Sequence, residues 1–244
     1  MPRLTPITKR EQVEPGGEDA FDRVIASRGS VNVPVSMLMY VPEVGAISTA
    51  MSDAVRFGAK TLSDGDVELG LLVACREFDI PYVWGQHVER AVSLGVDRAV
   101  INALATFQPL PPTSRRHTLI PKFGHALIHD HLVSDALFEE MREELGERGV
   151  MELTALFAHV MTSGCAVIVG DCPPEPGAPV LPRASSRRFP TAWERAGAVA
   201  LQPSLPALSR SAGEGARTEP RHAASSPQRS RERGRAPRGA QRSR

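Results

Sequence analysis

Two titratable residues on neighbouring predicted helices have the types and surroundings that acid–base chemistry needs. Glu68 shares a helix face with the apolar residue Leu72, and His87, on the next helix, shares its face with Ala91. A carboxylate on an apolar face loses hydration, which is expected to raise its pKa and to suit a proton donor or shuttle. If the two side chains meet in an apolar pocket, they form a general acid/base pair. The same residues also allow a buried hydrogen bond that only fixes the packing of the two helices.

A second group of residues has a spacing compatible with metal binding. His125, His129 and His131 follow the pattern His-x3-His-x-His, in which residues four apart lie on one helical face. Pro121 interrupts the predicted helix, however, and no clear fourth ligand is present. We therefore favour exposed or pocket-rim histidines and predict no metal site. His159, on an apolar helix, is predicted to be a core residue whose hydrogen bonds are satisfied.

The elements that must position these residues are all predicted to be helices. Apolar residues recur at helical spacing, and the sequence has no convincing β-hairpin signal or internal repeat. Ser63 and Asp66 match a capping box, Ser134 is a good N-cap, and Gly146 is a stop signal. The predicted helices cover residues 18–28, 35–40, 42–60, 64–78, 82–94, 96–107, 114–130, 135–145 and 150–169. The sequence therefore predicts an all-α domain over residues 1–182.

The chain divides by charge into two parts, although its net charge is only +1. Residues 183–244 contain 14 arginines, no lysine and four glutamates, a net charge of +10, whereas residues 1–182 carry −9. The basic part is rich in Pro and Ser and buries too little apolar surface to offset its ordering entropy, which predicts a disordered tail. Such a tail can bind nucleic acid electrostatically, but it lacks an RNA-binding motif, and we favour a solvated appendage.

The composition excludes several classes of protein. Hydrophobic residues make up 41% of the 244 residues and charged residues 23%, which is typical of a globular chain. The longest uninterrupted apolar runs are too short to cross a membrane, and the first residues lack the apolar core of a secretory signal. Three cysteines argue against a disulfide framework. We expect a soluble cytoplasmic protein without a membrane segment.

A family resemblance is carried by the stretch from Glu68 to His87, which reads ELGLLVACREFDIPYVWGQH. It resembles the carboxymuconolactone decarboxylase family of the alkylhydroperoxidase D-like (AhpD-like) superfamily, in which an essential Glu precedes a His on the next helix by the same interval. Residues 34–60 resemble the opening helix of the family, and residues 132–138 and 150–156 resemble its two closing helices. The resemblance spans about residues 20–170 and implies an AhpD-like helical fold.

Two departures from the superfamily pattern indicate which branch the sequence resembles. The peroxidase branch has a Cys-x-x-Cys pair, and here Ile80 and Val83 occupy those positions, which excludes disulfide-based peroxide reduction by that route. Tyr82 and Trp84 match the decarboxylase-like branch, in which a Tyr and a Trp precede the His. Pro81 and Val83 replace the two glutamates of the Glu-Tyr-Glu-Trp run of that branch. If either glutamate holds the substrate or moves a proton in the relatives, this protein cannot work in the same way.

The resemblance implies decarboxylation of a small carboxylated lactone or a related enolisable acid, without a cofactor. It implies that His87 transfers the proton or stabilises the dienolate, and that Glu68 orients or reprotonates His87. Arg76 or Arg56 is the candidate for holding the substrate carboxylate.

The resemblance also implies that Tyr82 and Trp84 form the walls of the substrate pocket and that the protein is a homo-oligomer, either a trimer or a hexamer. Two alternatives remain open. The lost acids and the added tail suggest a non-catalytic structural or interaction protein. Kinship with the peroxidase branch suggests a redox protein, for which Cys75 is the candidate thiol.

Overall fold

The computed structural model describes residues 2–183, and every regular element in that range is helical. A short 3-10 turn, Arg10–Gln12, precedes the first α-helix. The α-helices are α1 (Glu18–Arg28), α2 (Val33–Leu38), α3 (Pro42–Ser52), α4 (Asp64–Phe78), α5 (Pro81–Ser93), α6 (Arg98–Ala105), α7 (Arg115–Ile128) and α8 (Asp135–Val169). The predicted all-α fold is confirmed for these residues, whereas the predicted basic tail, from residue 184 onward, lies outside them.

Helix α4 lies at the centre of the fold and carries Glu68. All of its residues from 65 to 77 are buried, and α5, α7 and α8 pack against it. Gly70 permits the close approach of α8, because a Cβ atom here would lie only 2.7 Å from Cδ1 of Leu153. Since α4 is surrounded by close-packed helices, the position of Glu68 is fixed by the core.

The start of α4 is fixed by the capping box that the sequence predicts. Ser63 Oγ accepts a hydrogen bond from the backbone N–H of Asp66 (3.2 Å), and the Asp66 carboxylate accepts one from the backbone N–H of Ser63 (2.9 Å). Arg116 of α7 donates to the same carboxylate at 3.0 Å. The cap therefore joins α7 to the beginning of α4.

A tight turn folds α5 back along α4. Asp79 ends α4 in the left-handed conformation, with φ of 58°, and Ile80 is completely buried. Pro81 is the first residue of α5, where its missing N–H costs no helical hydrogen bond. The turn returns the chain so that His87 on α5 lies beside Glu68 on α4.

The helix predicted over residues 42–60 is shorter in the structure. It ends at Ser52 and continues as a π turn, Asp53–Phe57, closed by the backbone N–H of Gly58, which donates to the carbonyl of Asp53 at 2.9 Å. Single π turns often occur at functional sites because they change the direction in which side chains project. Here the turn carries Arg56.

Helix α8 consists of two helical segments, 135–145 and 147–169, separated at Gly146, where φ is 66° and ψ is 168°. The break confirms the stop predicted from this glycine. Leu153, Leu156 and Phe157 of the second segment are buried in the core. By length and composition α8 also passes as a helix that could cross a membrane, because one 18-residue window of it has a mean hydropathy of 1.6, although its uninterrupted apolar runs are short. A buried core helix gives the same signal.

Candidate active site

Glu68 and His87 are in direct contact. Oε2 of Glu68 lies 2.7 Å from Nδ1 of His87, and the two side chains are 2% and 14% exposed. Because this contact uses Nδ1, the other ring nitrogen, Nε2, is left for a ligand. The sequence leaves open whether these two side chains meet, and the structure brings them together.

Two arginines hold the second oxygen of the Glu68 carboxylate. Arg90 Nε donates to Oε1 at 2.9 Å, and Arg56 Nη2 donates to the same atom at 3.2 Å. The sequence analysis missed Arg90, although it follows His87 by three residues and so lies on the same face of α5. Arg56 comes from the π turn, which sequence patterns do not reveal.

The cationic partners decide the ionisation of Glu68. Burial raises the pKa of Glu68, but the hydrogen bond and charge of His87, together with Arg56 and Arg90, outweigh it and leave the pKa below its ordinary value of 4.5. The prediction of a raised pKa is wrong, because it considered desolvation without these partners. Glu68 is therefore an ionised group near neutral pH, suited to orienting His87 and stabilising its protonated form.

A small cavity of about 70 Å³ lies against His87. Its polar side is formed mainly by α3 and α8, and its apolar side includes residues of α4 and α5. The cavity is lined by Arg28, Asn32, Pro34, Val35, Ser48, Thr49, Ser52, Arg56, Leu71, Val83, His87, His159, Val160 and Ser163. The imidazole of His87 therefore lines this cavity while its Nδ1 contacts the Glu68 carboxylate.

Three buried polar atoms of this cavity have no hydrogen-bond partner among the described residues: Ser48 Oγ, Arg56 Nε and His159 Nδ1. Burial, assisted by the charges of Arg56 and Arg28, lowers the pKa of His159 to about 4, so its imidazole is neutral at physiological pH. The prediction that the hydrogen bonds of His159 are satisfied is wrong. Because buried polar groups in proteins are normally paired, these three atoms indicate a site for water or a polar ligand.

Three further residues predicted at the site lie elsewhere. Trp84 is buried in the hydrophobic core, and Tyr82 lines a separate cavity of about 310 Å³ whose described lining contains no histidine. Arg76 is buried and donates to the backbone carbonyls of Ala105 (3.0 Å) and Pro182 (2.6 Å). Its guanidinium therefore ties α4 to two other segments of the chain and does not reach the cavity beside His87.

Val83 lines the cavity in the place expected for Tyr82 and Trp84. Residues four apart share a helix face, and Val83 precedes His87 by four residues and lines the cavity with it. This is the position of a thiol in the peroxidase branch, and none of the described cysteines lines the cavity. Burial and the charge of Glu68 raise the pKa of Cys75 well above its ordinary value, so this thiol is not a ready nucleophile.

The helical arrangement of the described residues is the AhpD-like fold. Two solved structures of the debrominase Bmp8 share it. The apo structure has a TM-score of 0.55 at 15% identity and covers 71% of this chain and 94% of its own. A cysteine-to-alanine variant in complex with 2,3,4-tribromopyrrole has a TM-score of 0.54 at 14% identity, covering 70% and 92%. At this identity the likeness concerns the fold, and no family model and no curated protein matches the sequence.

Proposed function

We propose that the protein is an acid–base enzyme that decarboxylates a small carboxylated lactone or a related enolisable acid in the cavity beside His87. The observation that supports this most directly is the contact of an ionised, buried Glu68 with His87 at the wall of a cavity that contains three unpaired polar atoms. A purely structural Glu–His hydrogen bond gives no reason for the unpaired polar atoms of the residues that line the cavity.

The proposed reaction needs a single proton donor at the reacting carbon. The bond between this carbon and the substrate carboxylate breaks, CO₂ leaves, and the electron pair enters the conjugated carbonyl system as a dienolate. Nε2–H of protonated His87 then donates its proton to the carbon, and water returns a proton to the imidazole. Glu68 accepts the Nδ1–H of His87 and stabilises the imidazolium form. The net reaction takes up one proton and releases one CO₂.

The unpaired atoms supply candidates for binding the substrate. Arg56 Nε is a charged donor and Ser48 Oγ is a neutral donor, and both suit a carboxylate or a lactone carbonyl. Neutral His159 can donate or accept one hydrogen bond at Nδ1. We therefore assign substrate positioning to Arg56, Ser48 and His159, in place of Tyr82 and Arg76.

The size of the cavity favours a small substrate. Its volume of about 70 Å³ is far below the roughly 300–1,000 Å³ of pockets that hold drug-sized ligands. The same fold in Bmp8 has been observed with the small ring compound 2,3,4-tribromopyrrole. This supports a catalytic role for the protein and a compact ring compound as its substrate. The type of reaction depends on the residues at the site.

Release of CO₂ from a panel of carboxylated lactones and β-keto acids tests the proposal. We expect turnover with the wild-type protein and a loss of about 100-fold or more in His87→Gln, because a positioned proton donor contributes about 10²–10⁴ to rate. His131→Gln, which changes an exposed histidine outside the cavity, is the matched control. Folded wild-type protein that turns over no member of the panel, or a fully active His87→Gln variant, contradicts the proposal. The first of these results favours the non-catalytic interaction protein.

We further propose that the protein forms a homo-oligomer, in which the domain binds a second copy of the same chain. The second segment of α8 has an exposed face of small and apolar residues that recur at helical spacing: Met151, Ala158, Met161, Cys165, Ile168 and Val169. A continuous apolar stripe of this kind marks a protein interface more often than scattered exposed residues do. It supports the homo-oligomer, a trimer or hexamer, that the family resemblance implies.

A further inference from the structure

A second cluster of titratable side chains lies away from the cavity, where the end of α4 meets the end of α7. Helix α7 continues through Pro121 to Ile128, so it carries His125 in its last turn and His129 at its C-cap. Glu77 of α4 faces both histidines, and its side chain is only 2% exposed. The structure therefore adds a buried carboxylate to a histidine pair that the sequence analysis assigned to the exposed surface.

Each oxygen of the Glu77 carboxylate faces a different imidazole. Oε1 lies 3.1 Å from Nδ1 of His125, and Oε2 lies 4.0 Å from Nδ1 of His129. The two rings stack with centroids 4.6 Å apart and an interplanar angle of 15°, as expected for residues four apart on one helix. Three potential ligand atoms, one from each residue, lie within 4.8 Å of one another.

The other nitrogen of His125 also has an acidic neighbour. Nε2 of His125 lies 3.9 Å from Oδ1 of Asp130. In metal sites a ligating histidine commonly presents its second nitrogen to a carboxylate, which fixes the tautomer and the ring orientation. Asp130 therefore faces Nε2 of His125 and leaves Nδ1 of the same ring directed at Glu77. This observation is independent of the three ligand atoms.

We propose that Glu77, His125 and His129 bind a divalent transition-metal ion of the Zn²⁺ type, with water at the fourth position. Two imidazole nitrogens and one carboxylate oxygen form a ligand set that Zn²⁺ accepts in tetrahedral geometry. The histidine side chains are 44% and 46% exposed, so an ion and its water can reach them from solvent. Ligand atoms in such a site lie about 3.4 Å apart, and these three lie within 4.8 Å of one another, so rotation of the half-exposed histidine side chains must close the site around the ion.

Of the three neighbouring histidines singled out from the sequence, His131 is outside this site. It adopts a left-handed backbone conformation with φ of 56°, beyond the end of α7, and it contributes no atom to the cluster. The two histidines of the His-x3-His part of the motif, His125 and His129, are therefore the ones that lie at the proposed site. The missing ligand comes from Glu77, which is distant in sequence.

Titration of the full chain, freed of metal by chelator and dialysis, tests the site with Zn²⁺ by calorimetry and with Co²⁺ by visible absorption. We expect one equivalent to bind, and His129→Ala and His125→Ala each to weaken Zn²⁺ binding by at least about 100-fold, since even an outer partner contributes about 10–100-fold. Asp130→Asn should weaken it by about 10-fold. Both histidine side chains are half-exposed, so these variants avoid the folding risk of a change at buried Glu77.

His131→Ala is the control that must retain wild-type affinity, because it removes a neighbouring histidine without touching the cluster. His87→Gln must also retain it, so failure of the metal site and failure of the proposed decarboxylation give different results. Absence of Zn²⁺ binding in the wild-type protein, or equal affinity in wild type and His129→Ala, overturns the assignment and leaves a Glu77–His125 hydrogen bond that serves packing.

Discussion

Glu68 and His87 lie 19 residues apart in the sequence and 2.7 Å apart in space, on two helices joined by a tight turn. The contact places an imidazole at the edge of a cavity and an ionised carboxylate behind it. Arg56 and Arg90 hold the same carboxylate from the side opposite the imidazole contact, through Oε1. The arrangement is thus a buried charge network in which the histidine is the member directed at the cavity.

The two arginines should contribute unequally to the stability of this network. Arg56 is 15% exposed and Arg90 is 49% exposed, although both donate to Oε1 of Glu68. We expect Arg56→Met to lower the free energy of unfolding by about 3 kcal/mol, because it removes the more buried of the two arginines that hold the Glu68 carboxylate. Arg90→Met should cost less than about 1 kcal/mol, since its charge is screened by solvent. Urea unfolding of both variants measures the difference, and equal losses would contradict the network described here.

His159 should make the fold sensitive to mild acid. Its pKa is lowered from 6.5 to about 4 in the folded protein, chiefly by burial, so the unfolded chain binds more protons between these pH values. Stability should therefore fall as the pH falls from 6.5 to 4, by roughly 3 kcal/mol in total. His159→Gln should flatten this part of the stability profile, whereas His131→Gln should leave it unchanged. Urea unfolding at a series of pH values is the measurement, and an unchanged slope in His159→Gln would refute the assignment.

Glu68 acts in a different pH range. Its folded pKa lies below 4.5, so the stability it contributes is present above that value and is lost as the pH falls through the folded pKa. The two groups can therefore be separated in one titration. Glu68→Gln should change the profile only in its most acidic part, and His159→Gln should change it above pH 4.

The helices and several of their ends could be predicted from the sequence because their causes are local. The capping box of Ser63 and Asp66 and the left-handed break at Gly146 depend on residues within one turn, and both are confirmed. The Glu68–His87 contact could be anticipated because the family resemblance links the two positions. The prediction of a raised pKa for Glu68 is wrong, because the pKa depends on charged neighbours that are distant in the sequence.

The remainder of the candidate site depends on how the helices pack. Arg56 contacts Glu68 from a π turn, and no residue pattern predicts such a turn. His159 lines the cavity from α8, which is distant in the sequence. The family resemblance implies a pocket position for Trp84, whereas the packing of the helices buries it in the core. Glu77 shows the same limitation, because its partners His125 and His129 lie on another helix.

The three cysteines should differ in reactivity. Cys165 is exposed, Cys75 is fully buried, and burial raises the pKa of both Cys75 and Cys172. We therefore expect one thiol, that of Cys165, to react rapidly with a thiol reagent in the folded Met161→Glu/Ile168→Glu variant, in which no second copy covers the α8 stripe that contains it, and three to react after unfolding. Mass spectrometry of the labelled peptides identifies the site. Rapid labelling of Cys75, or peroxide turnover that Cys75→Ser abolishes, would instead support the redox alternative.

The exposed stripe on α8 should control assembly. Met161 and Ile168 lie on its face, seven residues or two helical turns apart, so a glutamate at both positions would place two unpaired charges where the stripe meets another copy of the chain. We expect the wild-type protein to sediment as a trimer or hexamer and the double variant Met161→Glu/Ile168→Glu to sediment at lower mass. Leu132→Glu changes an exposed apolar residue away from the stripe and should leave the mass unchanged. A monomeric wild-type protein, or a double variant of wild-type mass, would show that this face is not the interface between copies, since burying two unpaired carboxylates there would cost several kcal/mol per contact.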